Sequence, residues 1–231
     1  MKIFATVCTL LIFVAVGCSQ QRCCQEDKQY ECTLGGSVGR VQNGTAVGLQ
    51  LYYDMAVDFT GQRVGGAGYI TVVGNVSFAV QFIQLWKQKK QYTIVNDVCT
   101  VAPLDRPEPS PCIPSSATFI GYSTQGKNEL TIQSWSLAAS DVGLIDGHGY
   151  LSVSNVTCVP LGVSLMGRQK SEQGPVPMLF SGGHLNYTSG IPDPGKWFDL
   201  PSSCTQEKLG DSSTVPEFVQ GSLNMLRKTI F

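Results

Sequence analysis

With 231 residues the chain can form one large β domain or two small ones, and one large domain is the simpler expectation. Only 14% of the residues are charged and the formal net charge is -1, against about 25% charged residues in an average soluble domain. No basic field exists to attract nucleic acid or an anionic membrane, so neither is expected as a partner.

Lys2, the apolar run from Ile3 to Val16 and the small residues Gly17, Cys18 and Ser19 read as a secretory signal peptide, too short for a membrane span. Cleavage is expected between Gly17 and Gln21. Residues 1–19 are therefore set apart as signal, 20–204 as a β domain and 205–231 as a tail. The address is extracellular, with the lysosomal lumen as the alternative. No second apolar run of about 18 residues follows, so no transmembrane segment is expected. The end, Lys228-Thr229-Ile230-Phe231, is not a retention signal.

The body reads as β. Alternation is clear in Val47-x-Leu49-x-Leu51-x-Tyr53 and Phe78-x-Val80-x-Phe82. Strand-like runs follow at Tyr92 to Val95, Thr118 to Tyr122, Leu130 to Trp135, Tyr150 to Val153 and Leu161 to Leu165. Asn43-Gly44 is the strongest hairpin turn, while Gly65-Gly66, Gln125 to Asn128 and Ser181-Gly182-Gly183 are expected to break strands. Pro103 to Pro114, with five prolines, is expected to be an ordered, irregular crossing. The two prolines of Gly190-Ile191-Pro192-Asp193-Pro194 exclude an interior strand, so the stretch to Cys204 is expected to be a stiff surface segment tethered by its cysteine. From about 214 a helix is expected. Thr214 and Glu217 form a capping-box pattern, and Val215, Phe218, Val219, Leu223, Leu226 and Ile230 recur at helical spacing, to dock on the domain or to face a partner or membrane.

Of nine cysteines, removing Cys8 and, with cleavage, Cys18 leaves Cys23, Cys24, Cys32, Cys99, Cys112, Cys158 and Cys204. The number is odd, so one is free or joins two chains. No C-x-x-C pair occurs, and His148 and His184 lie at no ligand-like interval from a cysteine, which argues against zinc; no metal ligand is assigned. Four sequons, at Asn43, Asn75, Asn155 and Asn186, predict surface glycans. A glycan projects into water, so Asn155 is expected to fix the outward face of its strand, with Val156 pointing inward.

No catalytic residues are expected, and the chain is not expected to be an enzyme. Gly35-Gly36-Ser37-Val38-Gly39 matches G-x-S-x-G, but a nucleophile elbow needs a buried strand before it and a helix after it. A flexible, glycine-rich strand entry is the expectation there. Asp146-Gly147-His148-Gly149 reads as a loop, with its histidine an ordinary turn residue. Paired carboxylates and phosphate-cradling loops do not occur.

Several short motifs occur in a specific order. Cys24-Gln25 and Gln29-Tyr30-Glu31 are followed by Tyr53-Asp54 and Gln62-Arg63-Val64. Tyr92-Thr93-Ile94 then leads to Cys99, and Ile113-Pro114-x-x-Ala117-Thr118-Phe119 precedes Leu130-Thr131-Ile132-Gln133-x-Trp135. Asn155 to Cys158 and Asp193-Pro194 to Cys204 complete the set, which resembles the ependymin family over nearly the whole mature chain. Extra residues Met55 to Gly61 imply a longer hairpin than is usual there.

The resemblance implies a mostly β fold of two curved antiparallel sheets around a deep hydrophobic pocket, like the half barrel of lipoprotein carriers, with the short C-terminal helix added. It implies a homodimer that binds hydrophobic molecules such as fatty acids or lipids, and an association with calcium as cofactor. Candidate pocket residues are Phe78, Val80, Phe82, Ile94, Phe119, Ile132 and Trp135, each of which could equally be ordinary core. The resemblance also implies the disulfides Cys24–Cys158 and Cys99–Cys204. Cys32 is then paired with Cys112 and Cys23 left for another chain. The functional expectation is a secreted carrier of hydrophobic ligands, against an extracellular matrix or adhesion glycoprotein with calcium-dependent contacts.

Overall fold

The computed structural model describes residues 22–42, 44–72, 76–105, 107–139, 146–169 and 174–204. They form eleven strands: β1 (Gln29–Gln42), β2 (Thr45–Asp58), β3 (Arg63–Val72), β4 (Val76–Leu85), β5 (Lys90–Val95), β6 (Val98–Pro103), β7 (Thr118–Gln125), β8 (Leu130–Ala138), β9 (Asp146–Ser154), β10 (Pro160–Gln169) and β11 (Val176–Ser189). The order is β6-β5-β4-β3-β2-β1-β11-β10-β9-β8-β7. Every ladder is antiparallel.

The chain thus makes two meanders, β1 to β6 and β7 to β11, and the β1–β11 ladder welds them into one curved sheet whose edges, β6 and β7, do not pair with each other. The mostly β expectation holds, with its two sheets being the two halves of a single one. Local sequence explains most pairings: Gln42 faces Thr45 across the Asn-Gly turn, with Gly44 at φ 76°, and the β7–β8 hairpin turns through Gly126, Lys127 and Asn128, all at positive φ. Of Met55 to Gly61, where extra residues are expected, Met55 to Asp58 belong to β2, which pairs as far as Asp58 with Arg63.

Side-chain alternation then sorts residues to two faces. One unbroken cross-strand row reads Phe78, Ile70, Leu51, Gly36, Gly182, Val163, Leu151, Trp135, Phe119, from β4 to β7. This is the inner face. Its main cluster includes Leu34, Val38, Leu49, Tyr53, Met55, Val80, Phe82, Leu165 and Phe180, and a second gathers Trp135, Leu137, Leu151 and Val153 under Ile113 and Ala117 of the 104–117 crossing.

Two glycine clusters expected to break strands lie inside them. Gly65 and Gly66 sit in β3, where the Trp197 carbonyl abuts Gly65 and a Cβ on Gly66 would come within 2.7 Å of the Phe82 ring. Gly182 and Gly183 sit in β11; the Phe180 ring lies 2.8 Å from where the Gly182 Cβ would be. These glycines make room for a neighbour and do not end the ladder. Asp146 to Gly149 is likewise the start of β9 and not a loop, with Gly147 packed against the Met166 carbonyl. Gly35 to Gly39 is the interior of β1.

The stretch from Gly190 to Cys204 crosses the outer face. Its helix α1 (Pro194–Phe198) starts with Asp193 accepting from the Lys196 amide, and it buries Trp197 and Phe198 against Ala56. Trp197 Nε1 donates to Glu31 at 2.7 Å, and the Arg63 guanidinium lies 4.1 Å from the centre of the Phe198 ring. Arg63 also pairs with buried Asp58 at 2.8 Å; burial alone would raise the Asp58 pKa, but the Gly61 amide and the Arg63 side chain outweigh it and hold it low. The segment runs over the outer face and is tethered through Cys204 as expected, and its two aromatics are buried. The helix expected from about 214 lies outside the described residues.

Three disulfides brace the sheet: Cys23–Cys158, Cys24–Cys112 and Cys99–Cys204. The expected Cys24–Cys158 and Cys32–Cys112 pairs are corrected, and so is the assignment of Cys23 to another chain. The adjacent Cys23 and Cys24 diverge to opposite partners, while Cys32, on the inner face of β1, is the buried free thiol, its pKa pushed up to about 12 by burial. The Cys99–Cys204 bridge spans 105 residues, for which loop-closure entropy gives up to about 4.7 kcal/mol. Cys204→Ser is expected to lower the urea midpoint and to expose Trp197, read as a red shift of tryptophan emission with increased quenching by iodide; an unchanged midpoint contradicts the bracing role.

Candidate functional site

The inner face is the part of the molecule with chemistry to explain. Of the seven pocket candidates, Phe78, Val80 and Phe82 stand on it at the β4 end and Phe119 and Trp135 at the β7 end. Phe119 meets Trp135 edge-on at 5.2 Å. Ile94 and Ile132 do not share that face. Ile94 packs with Ile83 and the Cys99–Cys204 bridge on the outer side, and Ile132, one residue out of phase with Gln133 and Trp135, points away from them. Period-2 alternation fixes such phase only when each strand is read against its own neighbours.

One end of the face is closed. Cys23–Cys158 and Cys24–Cys112 lie over Tyr30, Leu151 and Val153, leaving a crevice of about 30 Å³, room for roughly one water. Tyr30 stacks on Tyr187 at 5.0 Å. Tyr187 Oη accepts from Gln25 and donates to Asp27, whose other oxygen accepts from Ser189. Those bonds, Ser189 first and Tyr187 second, hold the Asp27 pKa below the usual carboxylate value. The chain thereby latches its N-terminal cysteines onto β11.

The middle of the face carries an anomaly. The cross-strand row Val95, Val80, Gly68, Tyr53, Leu34, His184 is apolar except for Tyr53 and His184. Tyr53 is wholly buried, and neither its hydroxyl nor His184 Nδ1 has a hydrogen-bond partner. An orphaned buried polar group costs about 1–3 kcal/mol. Burial pushes the Tyr53 pKa far up and the His184 pKa down to about 4, so both are neutral near pH 7. Sequence reading put Tyr53 in an alternating run and a family motif but assigned it no role, and it missed His184 because the glycines before it were taken as a break.

Other candidates stand elsewhere. Ser37 lies in mid-strand on the outer face, opposite Gln50 and Ser181, with no strand-to-helix elbow. His148 is exposed on β9. Asn155 lies in a turn and accepts from Gln133, so Val156 is not turned inward but is 83% exposed. Asn186 is exposed on β11, while Asn43 and Asn75 lie outside the described residues. Among the described residues no group of three His, Cys, Asp or Glu side chains gathers as metal ligands, and no helix is long and apolar enough to cross a membrane.

A disulfide-braced, open antiparallel sheet with one apolar face defines the class of protein. The ependymin family model matches residues 74–204, and the chain is 30% identical over 173 residues to "Development-specific protein LVN1.2" of Lytechinus variegatus, covering 71% of this chain and 91% of that protein. The chain belongs to the ependymin family. Among solved structures it is similar to a LolA superfamily protein from Nitrosomonas europaea (6% identity, 74% of this chain and 90% of that one, TM-score 0.32) and to a DUF1329 family protein from Desulfovibrio piger (7%, 74% and 89%, TM-score 0.29). At such scores these likenesses carry no detail over.

His184 also predicts a pH dependence. Its folded pKa is depressed, so between its usual value near 6.5 and about 4 the unfolded chain binds a proton that the folded chain refuses. Stability should therefore fall as pH drops through that window, by up to about 3 kcal/mol and less where the ring edge meets water. Urea unfolding at pH 7 and pH 4.5 measures it. The expected outcome is a drop that His184→Gln reduces; equal drops in both proteins contradict the burial of the imidazole.

Proposed function

We propose that this protein is a secreted glycoprotein that carries hydrophobic ligands, fatty acids or related lipids, against the inner face of its sheet, with no catalytic step. The observation that carries the reading is the apolar row from Phe78 to Phe119 on one face of a sheet whose edges stay unpaired. Where such a face is left incompletely filled it accepts apolar chains with little demand for directional contacts. Membership in the ependymin family supports the same reading, and the three disulfides suit an oxidising destination. The calcium proposal rests on family membership alone.

A noncovalent homodimer belongs to the proposal. Its candidate surface is the outer face, where Tyr52 and Tyr69 are paired neighbours, 53% and 59% exposed, beside a flat strip of Ser37, Ser164, Ser181 and Gly35. Small residues let two sheets approach closely, and the exposed rings supply apolar area. Cys23 is engaged within its own chain, so no bridge between chains is proposed.

Native mass spectrometry of the secreted protein, followed by organic extraction, tests the carrier reading. Bound single-chain lipid is the expected finding. A protein that emerges empty and takes up no added fatty acid contradicts it.

A further inference from the structure

A carrier for bare hydrocarbon has no use for a hydroxyl and an imidazole in the middle of its apolar face. Phenylalanine at 53 and leucine at 184 would bury comparable surface without orphaned atoms. Tyr53 and His184 flank Leu34 on one cross-strand row, two strand spacings or roughly 10 Å apart at the backbone. Their unpartnered atoms are a hydroxyl on one side and an imidazole Nδ1 on the other, and no charged residue shares the row.

We propose that Tyr53 and His184 form a head-group subsite, selecting single-chain amphiphiles whose small polar head carries oxygen acceptors, a carboxyl group above all, over hydrocarbons of equal length. This rests on the carrier reading and adds the ligand's polar end to it. Tyr53 Oη donates to one head oxygen. His184, half-buried with its Nδ1 enclosed, meets the other through that atom, donating or accepting with its tautomer. The apolar chain then runs along the row from Phe78 to Trp135. Bulky or multiply charged heads are disfavoured, since the row supplies no countercharge and desolvating such a head finds no compensation.

The test uses full-length, delipidated protein as wild type, Tyr53→Phe and His184→Leu, titrated with palmitic acid and with hexadecane and read by native mass spectrometry, with thermal unfolding of each empty protein. Tyr53→Phe is expected to weaken palmitic acid binding at least tenfold, to leave hexadecane binding unchanged and not to lower the Tm of the empty protein; His184→Leu is expected to act in the same direction. Palmitic acid binding within twofold of wild type in both variants overturns the subsite while leaving the carrier reading intact. A lower Tm of empty Tyr53→Phe with unchanged palmitic acid affinity assigns the hydroxyl to a buried water and overturns it as well. Equal loss of both probes reduces the effect to packing, which also overturns it. Failure of the wild type to bind either probe sinks the carrier reading, and the subsite with it.

Discussion

The ladder between β1 and β11 is the interaction on which the rest depends. All other strand pairs join sequence neighbours, whereas this one brings Tyr30 opposite Ser189 and Arg40 opposite Met178. Without it the chain is two separate meanders, each with an apolar face and an extra exposed edge. Closing so long a loop is entropically unfavourable and kinetically slow, and the molecule offsets this with local devices. Gly36 and Gly182 oppose each other at the seam, where a Cβ on Gly36 would meet the Ser181 carbonyl at 2.8 Å, and the Phe180 ring lies over both. The inner face is thus continuous because the seam has no side chains of its own in that row.

The disulfides reinforce the same junction from its ends. Cys23–Cys158 ties the segment leading into β1 to the turn after β9, and Cys24–Cys112 pins the crossing between the two meanders. On the outer face, Cys99–Cys204 fastens the segment after β11 to the far edge at β6, with Trp197 and Phe198 seated where Gly65 leaves space. Each bridge links parts that the ladders alone leave free to splay. Cys32 is inward on β1, buried in the core and without a disulfide partner among the described residues.

Much of this was legible in the sequence, for identifiable reasons. Alternation located β2 and β4, because a half-buried strand must place apolar residues at period two, and strand-like runs located β5, β7, β8, β9 and β10. The two seam strands were missed or truncated. β1 and β11 are rich in glycine and serine, which reads as breakage until one sees that those positions face backbone or a neighbouring ring. Ile94 and Ile132 were placed on the wrong face because a single apolar residue carries no phase; only the register with Cys99 and Ser154 supplies it. Cysteine spacing could not choose among pairings, since the partners of Cys23 and Cys24 are set by the path of the crossing in space. The orphaned atoms of Tyr53 and His184 are a property of packing and leave no sequence mark.

A sheet that is continuous across its seam presents one apolar face with a polar pair near its middle, and the carrier reading and the head-group subsite both require that continuity. Hydrogen exchange of the native protein, followed by peptide mass spectrometry, tests it most directly. Peptides covering Leu34 to Val38 and Leu179 to Gly183 should exchange as slowly as those in the centres of β2, β3 and β10, because the seam opens only with the whole sheet. Rapid exchange in both seam peptides, with protection retained on either side, would show two independently stable halves and contradict the account.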